Sequence, residues 1–537
     1  MDDDHPNRGI EPLPNLDFKF VAADSLVNLD SDLGFGEAEF IDKLIKIRSE
    51  YFTAPFEERL QLQADFANIQ NDMSLFVSDM WKSAGGNQTL EKLRRWRPFD
   101  YLKTDWFDPD WMFGVSKFDV VITNPPYIQL QKMGEMSSLY EEQGFSTFAK
   151  TGDIYCLFYE RGIKLLKNKG ILTYITSNKW LRAIYGEKLR NYLSSYNPLE
   201  LIDFGGVKVF NSATVDVSIL ILSKENNKLN TVSCLLNEDC TENLSDYIKQ
   251  NKVLSKYEGL DNWLILTKIE NTIKRKIETK GLELKKWDVR INYGIKTGLN
   301  DAFIIDEQTR NSLIIQDPNS AEIIRPILRG EDIKKYKINF KERYLINTHN
   351  GIKSENIKRV NVEEYWAIKN HLESFGDKLK KRQDQGDTKY NLRNCAYMND
   401  FIKHKIVYSE IVQSPQFHLD KDGYYPEATT FFLIGENLNS LVGLLNSKIF
   451  GFAFKLFYSG GGLGEKGYRY KKNYLEKMFL PNNEKLLCLI GEAVEKLYLS
   501  SSEEEKKFFD NAIDEMIGNY LELSKEEMIY ILDFGKK

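Results

Sequence analysis

An α/β fold, followed by an α+β region and a helical tail, is the architecture this sequence predicts. Three observations carry that reading. Between residues 118 and 224, short apolar runs (DVVIT, ILTYITS, LELIDF, VSILILSK) alternate with amphipathic stretches, the signature of a mostly parallel sheet. Beyond about residue 261 the alternation stops, and strand-like pieces sit among basic loops. The chain has 537 residues, too many for one hydrophobic core.

The elements follow in order. FKFVAADSLVNL (18–29) reads as a short apolar strand closing on Asp24. FIDKLIKIRSEYF and RLQLQADFANIQNDMSLFVSDMW carry apolar residues at three- and four-residue spacing and read as helices. A loop rich in Trp, Asp and Pro leads to the strand DVVIT. GDIYCLFYERGIKLLKNKG reads as a helix with Asp153 as N-cap and Gly170 as its stop. ILTYITS is a strand and GEKLRNYLSS a helix; LELIDF and VSILILSK are close enough to pair antiparallel. Polar residues 225–260 mark a domain boundary. HKIVYSEI and TTFFLIG are strands, NSLVGLLNSKIFGFAFKLF is one helix, and EKLLCLIGEAVEKLYL opens the tail before a charged turn, SSSEEEKKF. The expected divisions are 1–35, 36–97, 98–250, 251–482 and 483–537.

Composition excludes several classes. No run of about 18 apolar residues exists, which argues against a membrane span. The acidic, polar start MDDDHPNRGIEPLPN is not a signal peptide. The five cysteines form no CxxC pair and the histidines no HExxH, so metal chemistry and disulfide frameworks are set aside and a reducing cytoplasm fits. The net charge of −6 means any nucleic acid must be held by local basic patches.

The chemistry points to FDVVITNPPYIQL (118–130), where an apolar strand stops at Asn124. Ligands of open α/β sheets bind at the carboxyl ends of strands. Pro125 and Pro126 stiffen the turn and remove two donors. What remains is a pair of fixed acceptors, the Asn124 side-chain oxygen and the Pro125 carbonyl, with the flat face of Tyr127 beside them. Two acceptors suit an NH₂ group on a planar ring. Holding its hydrogens would favour the tetrahedral nitrogen needed to attack a methyl sulfonium in line. A bland surface turn is the alternative for these four residues alone.

The ordered neighbours of this motif resemble a known family. T-N-P-P-Y after a strand, then TGDIYCLFYERGIKLLKNKGILTYITSNKWLRA and DFGGVKVFNSATVDVSILIL, are similar to the blocks of amino-methyltransferases acting on adenine in DNA. INYGIKTGLNDAFIID, RPILRGEDIKKY and LVGLLNSKIFGFAFKLF resemble a TaqI-like C-terminal specificity domain, the arrangement of Type IIG restriction–modification enzymes. The resemblance covers about residues 15–482. It implies an S-adenosylmethionine-dependent, Rossmann-like methyltransferase core with a helical insertion, followed by a DNA target-recognition domain. Asn124, Pro125, Pro126 and Tyr127 would be catalytic, and Tyr127 with Phe210 would stack a flipped adenine. Asp24, Asn124 and Asp153 would face the cofactor, although Asp24 can equally cap a turn and Asp153 a helix. Ser177 and Asn178 would line the same edge.

The sequence departs from the family in one respect. A complete core opens with a strand and a glycine-rich turn, and only Gly9 precedes Asp24. The expectation is therefore an incomplete core: an N-terminally truncated enzyme, or one half of a split one whose cofactor lobe or nuclease sits on a partner fragment. YSGGGLGEKGYRYKK (458–472) follows a helix-like run and is not read as the cofactor loop. Its Lys466, Arg469, Lys471 and Lys472 are expected near phosphates of double-stranded DNA, an ordinary solvated loop being the alternative. Further basic segments after residue 270 (KRKIETKGLELKKWDVR, DIKKYKINFKER, KLKKRQDQGDTKYNLR) join them as candidates. The rivals are a non-catalytic DNA-binding subunit and a methyltransferase of a protein glutamine amide.

Overall fold

The computed structural model describes residues 19–29, 38–81, 88–100, 102–210, 215–236, 243–352, 355–460 and 467–534. The chain divides into two compact units, the first ending at Ile265 and the second starting at Leu266.

In the first unit, helices α1 (Ala38–Thr53) and α2 (Phe56–Trp81) form where the helical spacing predicts them, and a third, α3 (Gln88–Arg95), follows that the spacing did not single out. They close on Trp96, Trp106 and Leu26 in one buried cluster. A short α4 (Pro109–Phe113) leads into β1 (Phe118–Thr123). Then come α5 (Glu135–Glu142), α6 (Tyr155–Leu165), β2 (Leu166–Ser177), α7 (Glu187–Ser194), β3 (Tyr196–Asp203), β4 (Val217–Asn226), β5 (Thr231–Leu235), α8 (Leu244–Asn251) and β6 (Val253–Ser255). The strands form one sheet in the order β1-β2-β4-β3-β5-β6. β1 and β2 pair in parallel, as do β3 and β5, while β4 lies antiparallel between β2 and β3 and β6 antiparallel to β5. Thus β1, β2, β3 and β5 all point one way, and their carboxyl ends share an edge.

The two faces of this sheet are covered unequally. Leu172, Tyr174, Leu201, Leu220 and Leu222 are buried with Tyr155, Tyr159, Leu189 and Leu193 of α6 and α7. On the opposite face, α8 residues Leu244, Tyr247 and Ile248 pack by Ile202 and Cys234. At β1 that face stays open: Val120 is 57% and Ile122 74% exposed.

Several local expectations are corrected. Residues 19–29 hold no strand, only isolated parallel bridges from Ala23 to Thr104 and Asn28 to Phe107. The helix expected to run to Gly170 stops at Leu165, and LKNKG already belongs to β2. Gly170 sits where a Cβ would lie 3.0 Å from the carbonyls of Asp119 and Lys167, so it serves a close approach instead of a helix stop. Asp153 is not the N-cap: Ile154 holds that position, with no side-chain cap. The polar stretch 225–260 contains β5, β6 and α8, and the division falls after Ile265. β5 is a strand despite its polar composition because its Thr231 and Ser233 are buried and bonded, to the Pro198 carbonyl and the Tyr257 hydroxyl.

In the second unit, HKIVYSEI and TTFFLIG supply strands Lys405–Ser409 and Thr430–Gly435, paired antiparallel. Phe417–Asp420 and Val289–Tyr293 complete that four-stranded sheet. A second sheet joins Tyr425–Pro426, Ile324–Leu328, Arg343–Ile346 and Ile304–Asp306. The apolar helix expected over 439–457 is broken: Leu438–Asn446 and Lys448–Tyr458 meet at 62°. Ser447 is extended there (ψ 151°), and its hydroxyl accepts from Phe450 N, so one residue ends the first helix and caps the second. Among the described residues no single helix is long and apolar enough to cross a membrane. The tail forms helices Glu484–Leu499, Glu503–Tyr520 and Lys525–Asp533. Its charged turn is shorter than expected: Ser502 accepts from Glu504 N and Glu505 N, so EEEKKF is already helix, its acids at the positive end of the dipole.

Candidate functional site

At the shared strand edge, β1 leads into Asn124–Tyr127, which belong to no regular element. Asn124 and Pro126 are exposed and Pro125 is buried. Tyr127 is half-buried and borders both side-chain clusters, the one under α6 and α7 and the one beside α8. Its hydroxyl donates to Asn124 Oδ1 at 2.8 Å and reaches the Ile175 carbonyl at 3.3 Å. Burial pushes the Tyr127 phenol above its ordinary pKa, so it stays neutral and can only donate or accept hydrogen bonds near pH 7. The chain after the turn is tied down by Leu130 N to Gly152 O and Ile154 N to Ile128 O, both 2.9 Å.

Phe210 is half-buried and packs on the same small cluster as Tyr127. The two aromatics that the sequence pairs are thus brought to one patch, along with Ile175 and Ile219. Residues 211–214, which follow Phe210, lie outside the described residues.

Asp153 stands in a hydroxyl network. Its Oδ2 accepts from Tyr185 Oη at 3.1 Å, and Tyr185 Oη lies 2.7 Å from Tyr155 Oη. The Tyr155 ring meets Tyr127 edge-on at 6.1 Å. Asp24 lies on the 19–29 segment, accepting from Leu26 N at 3.1 Å and Tyr140 Oη at 3.0 Å. It therefore does cap a turn, as the bland alternative has it, while keeping further acceptor lone pairs. Ser177 Oγ accepts from Lys179 N, and Asn178 donates to Asp203 Oδ1 at 2.8 Å.

Asp203 was not singled out from the sequence. It closes β3 at the same edge, nearly buried, and also accepts from Gly205 N at 3.0 Å. Burial raises its pKa, partly offset by Asn178 and Gly205. The signal was present in the sequence, an acid in the strand-end run LELIDF just ahead of Gly205 and Gly206.

In the second unit, Arg469 lies in a short strand paired with Ile411–Val412, 3.5 Å from Glu410. Lys471 precedes helix Lys472–Leu475, and Lys472 lies 3.7 Å from Glu476. Tyr470 between them is buried, stacked on Phe454 at 3.9 Å, which fixes the neighbouring cations at the surface. Lys466 lies outside the described residues.

The geometry also bears on a bound S-adenosylmethionine. Asp24 offers an acceptor for an amine, and Asn124 a second one at the strand edge. Among the described residues of the first unit, no strand leads through glycines into a helix. Asp24 and Asn124, as hydrogen-bond acceptors, suit the amine groups of such a cofactor.

Comparison with known proteins agrees with this layout. The family model described as Eco57I restriction-modification methylase matches residues 43–210, and the TaqI-like C-terminal specificity domain matches residues 325–480. The chain is 22% identical to the Type II methyltransferase M.BstVI of Geobacillus stearothermophilus, over 83% of each chain. It is 31% identical to the Type II restriction enzyme and methyltransferase RM.Eco57I of Escherichia coli, over 36% of this chain and 20% of that one. It is 21% identical to the Type II methyltransferase M.BanIII of Aneurinibacillus aneurinilyticus, over 76% of this chain and 77% of that one. Among solved structures, the Type IIL restriction-modification enzyme MmeI in complex with DNA superposes with a TM-score of 0.53 at 12% identity, a likeness of fold. That match covers 87% of this chain and 63% of the length of MmeI.

Proposed function

We propose that this chain, a DNA methyltransferase of the Type II restriction–modification kind with an Eco57I-type methylase domain and a TaqI-like specificity domain, methylates the exocyclic amine of adenine in double-stranded DNA. The observation that carries the adenine reading is the Asn124–Tyr127 edge. An exposed amide oxygen and a proline-stiffened carbonyl sit beside an aromatic ring at the carboxyl end of a strand. S-adenosylmethionine, when bound, supplies an electrophilic methyl group.

The roles of the chain's own residues follow from their positions. A flipped adenine would lie between Tyr127 and Phe210, which border one apolar patch. Asn124 Oδ1 and the Pro125 carbonyl would accept the two amine hydrogens. That pulls the nitrogen lone pair out of conjugation and aims it away from the ring. In the free protein the Tyr127 hydroxyl occupies Asn124 Oδ1, holding the amide in one orientation before the base arrives. Asp24 would take the cofactor's adenine amine, and Arg469, Lys471 and Lys472 would neutralise DNA phosphates.

The test is methyl transfer from labelled S-adenosylmethionine to duplex DNA, with the modified base identified by mass spectrometry. N6-methyladenine is expected. Asn124→Ala should lower transfer by about 100-fold or more with DNA affinity unchanged. Methyl recovered on cytosine, or an Asn124→Ala enzyme of undiminished rate, refutes the assignment.

A further inference from the structure

Three loops of the second unit, distant in sequence, meet at one buried carboxylate. Glu427 is nearly buried, and its Oε1 accepts from Asn300 Nδ2 at 2.7 Å. Asn300 Oδ1 in turn accepts from the buried Thr297 hydroxyl at 2.6 Å. The other oxygen, Oε2, lies 3.4 Å from Nε of Arg329, an ion-pair distance without a hydrogen bond. Among the described residues, the Nη groups of Arg329 have no partner, and its side chain is 41% exposed. The inner edge of this guanidinium therefore faces a fixed negative charge, and its outer fork faces solvent.

The surroundings hold these loops rigidly. A Cβ on Gly294 would lie 1.9 Å from the Glu427 carbonyl oxygen, and one on Gly298 (φ +69°) 1.9 Å from that of Gln383. Buried Arg382 donates to Thr297 O at 2.7 Å, clamping the loop from beneath. Arg329 N donates to Asp332 Oδ2 at 2.8 Å, and Asp332 is itself 3.2 Å from Arg343. Gly330 packs so closely on Ser409 that a Cβ would lie 2.5 Å from its hydroxyl. Ile295 bridges to Glu427, and the next residue, Lys296, is exposed and pairs with nothing among the described residues.

We propose that Arg329, oriented by Glu427 and Asn300, is a DNA-phosphate contact of the second unit, with Lys296 beside it as a second cation. The inference rests on the DNA reading above and adds residues outside the 466–472 segment. The chemistry favours phosphate. A guanidinium offers a planar two-donor fork that matches a phosphate's oxygens. Holding its inner edge by a buried acid removes the rotamer freedom that a free arginine would lose on binding. Glu427 and Asn300 are positioning residues and touch no DNA.

The test measures binding of a fluorescent random-sequence duplex by anisotropy from about 50 to about 200 mM salt. Each lost phosphate contact lowers the slope of log affinity against log salt by about 0.9. Arg329→Ala should lose about 0.9 and the Arg329→Ala/Lys296→Ala pair about 1.8, while Lys506→Ala in the tail changes nothing. Glu427→Gln gives a sign test. It makes the protein one charge more positive, so long-range attraction alone would tighten binding, whereas loss of positioning weakens it several-fold. Asn300→Ala, an exposed and uncharged change, should weaken binding in the same direction and covers the case in which Glu427→Gln unfolds.

A wild-type chain that fails to bind duplex overturns the DNA reading and this inference together. Wild-type binding with an unchanged slope in Arg329→Ala overturns this inference alone. An unchanged slope with altered sequence preference would make Arg329 a base-edge contact, which also overturns the phosphate assignment.

Discussion

The strand edge at Asn124 and the loop junction at Glu427 each hold a polar group in a fixed orientation, by opposite means. At Asn124 the rigidity is covalent and local: two prolines fix the chain, and one hydrogen bond from a residue three positions on sets the amide. At Glu427 the rigidity is tertiary: a buried acid, a clamping arginine and glycines pressed on foreign backbone hold loops that are remote in sequence. The first arrangement tolerates an open neighbourhood, with Ile122 exposed nearby. The second needs a dense interior that keeps the buried acid paired, because a buried charge is costly once its partner is lost.

The contrast sets out its own tests, beginning with the buried charges. Lys405 and Asp420 form an ion pair at 2.5 Å with both side chains 0% exposed. Asp420 also accepts from the backbone N of Asp422, Gly423 and Tyr424. Asp420→Ala leaves Lys405 buried without its counter-charge and should cost about 3–5 kcal/mol in chemical denaturation. Replacing both partners with apolar residues of similar volume should recover most of that loss. A small loss in the single variant would show that water reaches Lys405.

At the strand edge, Tyr127→Ala should weaken capture of an extrahelical base by about 1–3 kcal/mol, read from binding of a duplex with an abasic partner opposite the target. Tyr127→Phe keeps the ring and loses only the hydroxyl's bonds to Asn124 Oδ1 and the Ile175 carbonyl, so its effect should stay near about 1 kcal/mol. Equal effects of the two variants would shift the weight from the ring to the hydroxyl.

Acidification should separate the units. Burial is the first cause lowering the pKa of His349, His371 and His418, all in the second unit. Their folded pKa values lie below the unfolded value of about 6.5. Their contribution is therefore fully present above pH 6.5 and is lost as pH falls through the folded values, by at most about 1.4 kcal/mol per histidine per pH unit. Unfolding of the second unit followed between pH 7 and 5, with histidine Cε1 resonances as site reporters, should show the loss. Histidines that titrate near 6.5 in the native protein would contradict it. The smallest effect belongs to the open sheet face: Ile122→Thr should change stability by no more than about 0.5 kcal/mol, because little burial is forfeited.

The chain itself determined whatever depends on near neighbours. Helical spacing placed α1, α2 and α7, and apolar runs placed β1, β3 and β4, with the last two antiparallel as their short connection requires. The end of β1 at Asn-Pro-Pro-Tyr was legible because the missing donors and stiffness of proline are covalent properties. Tertiary structure decided the rest. It turned LKNKG from helix into strand beside β1 and gave polar β5 its place by satisfying Thr231 and Ser233. It made Asp153 a partner of Tyr185 and drew Asp203 to the edge with Asn178. It also placed Arg329, Asn300 and Glu427 around one another. Each of these outcomes rests on a hydrogen bond or charge pair between residues far apart in the chain, and no local spacing encodes which remote partner will satisfy a buried polar group.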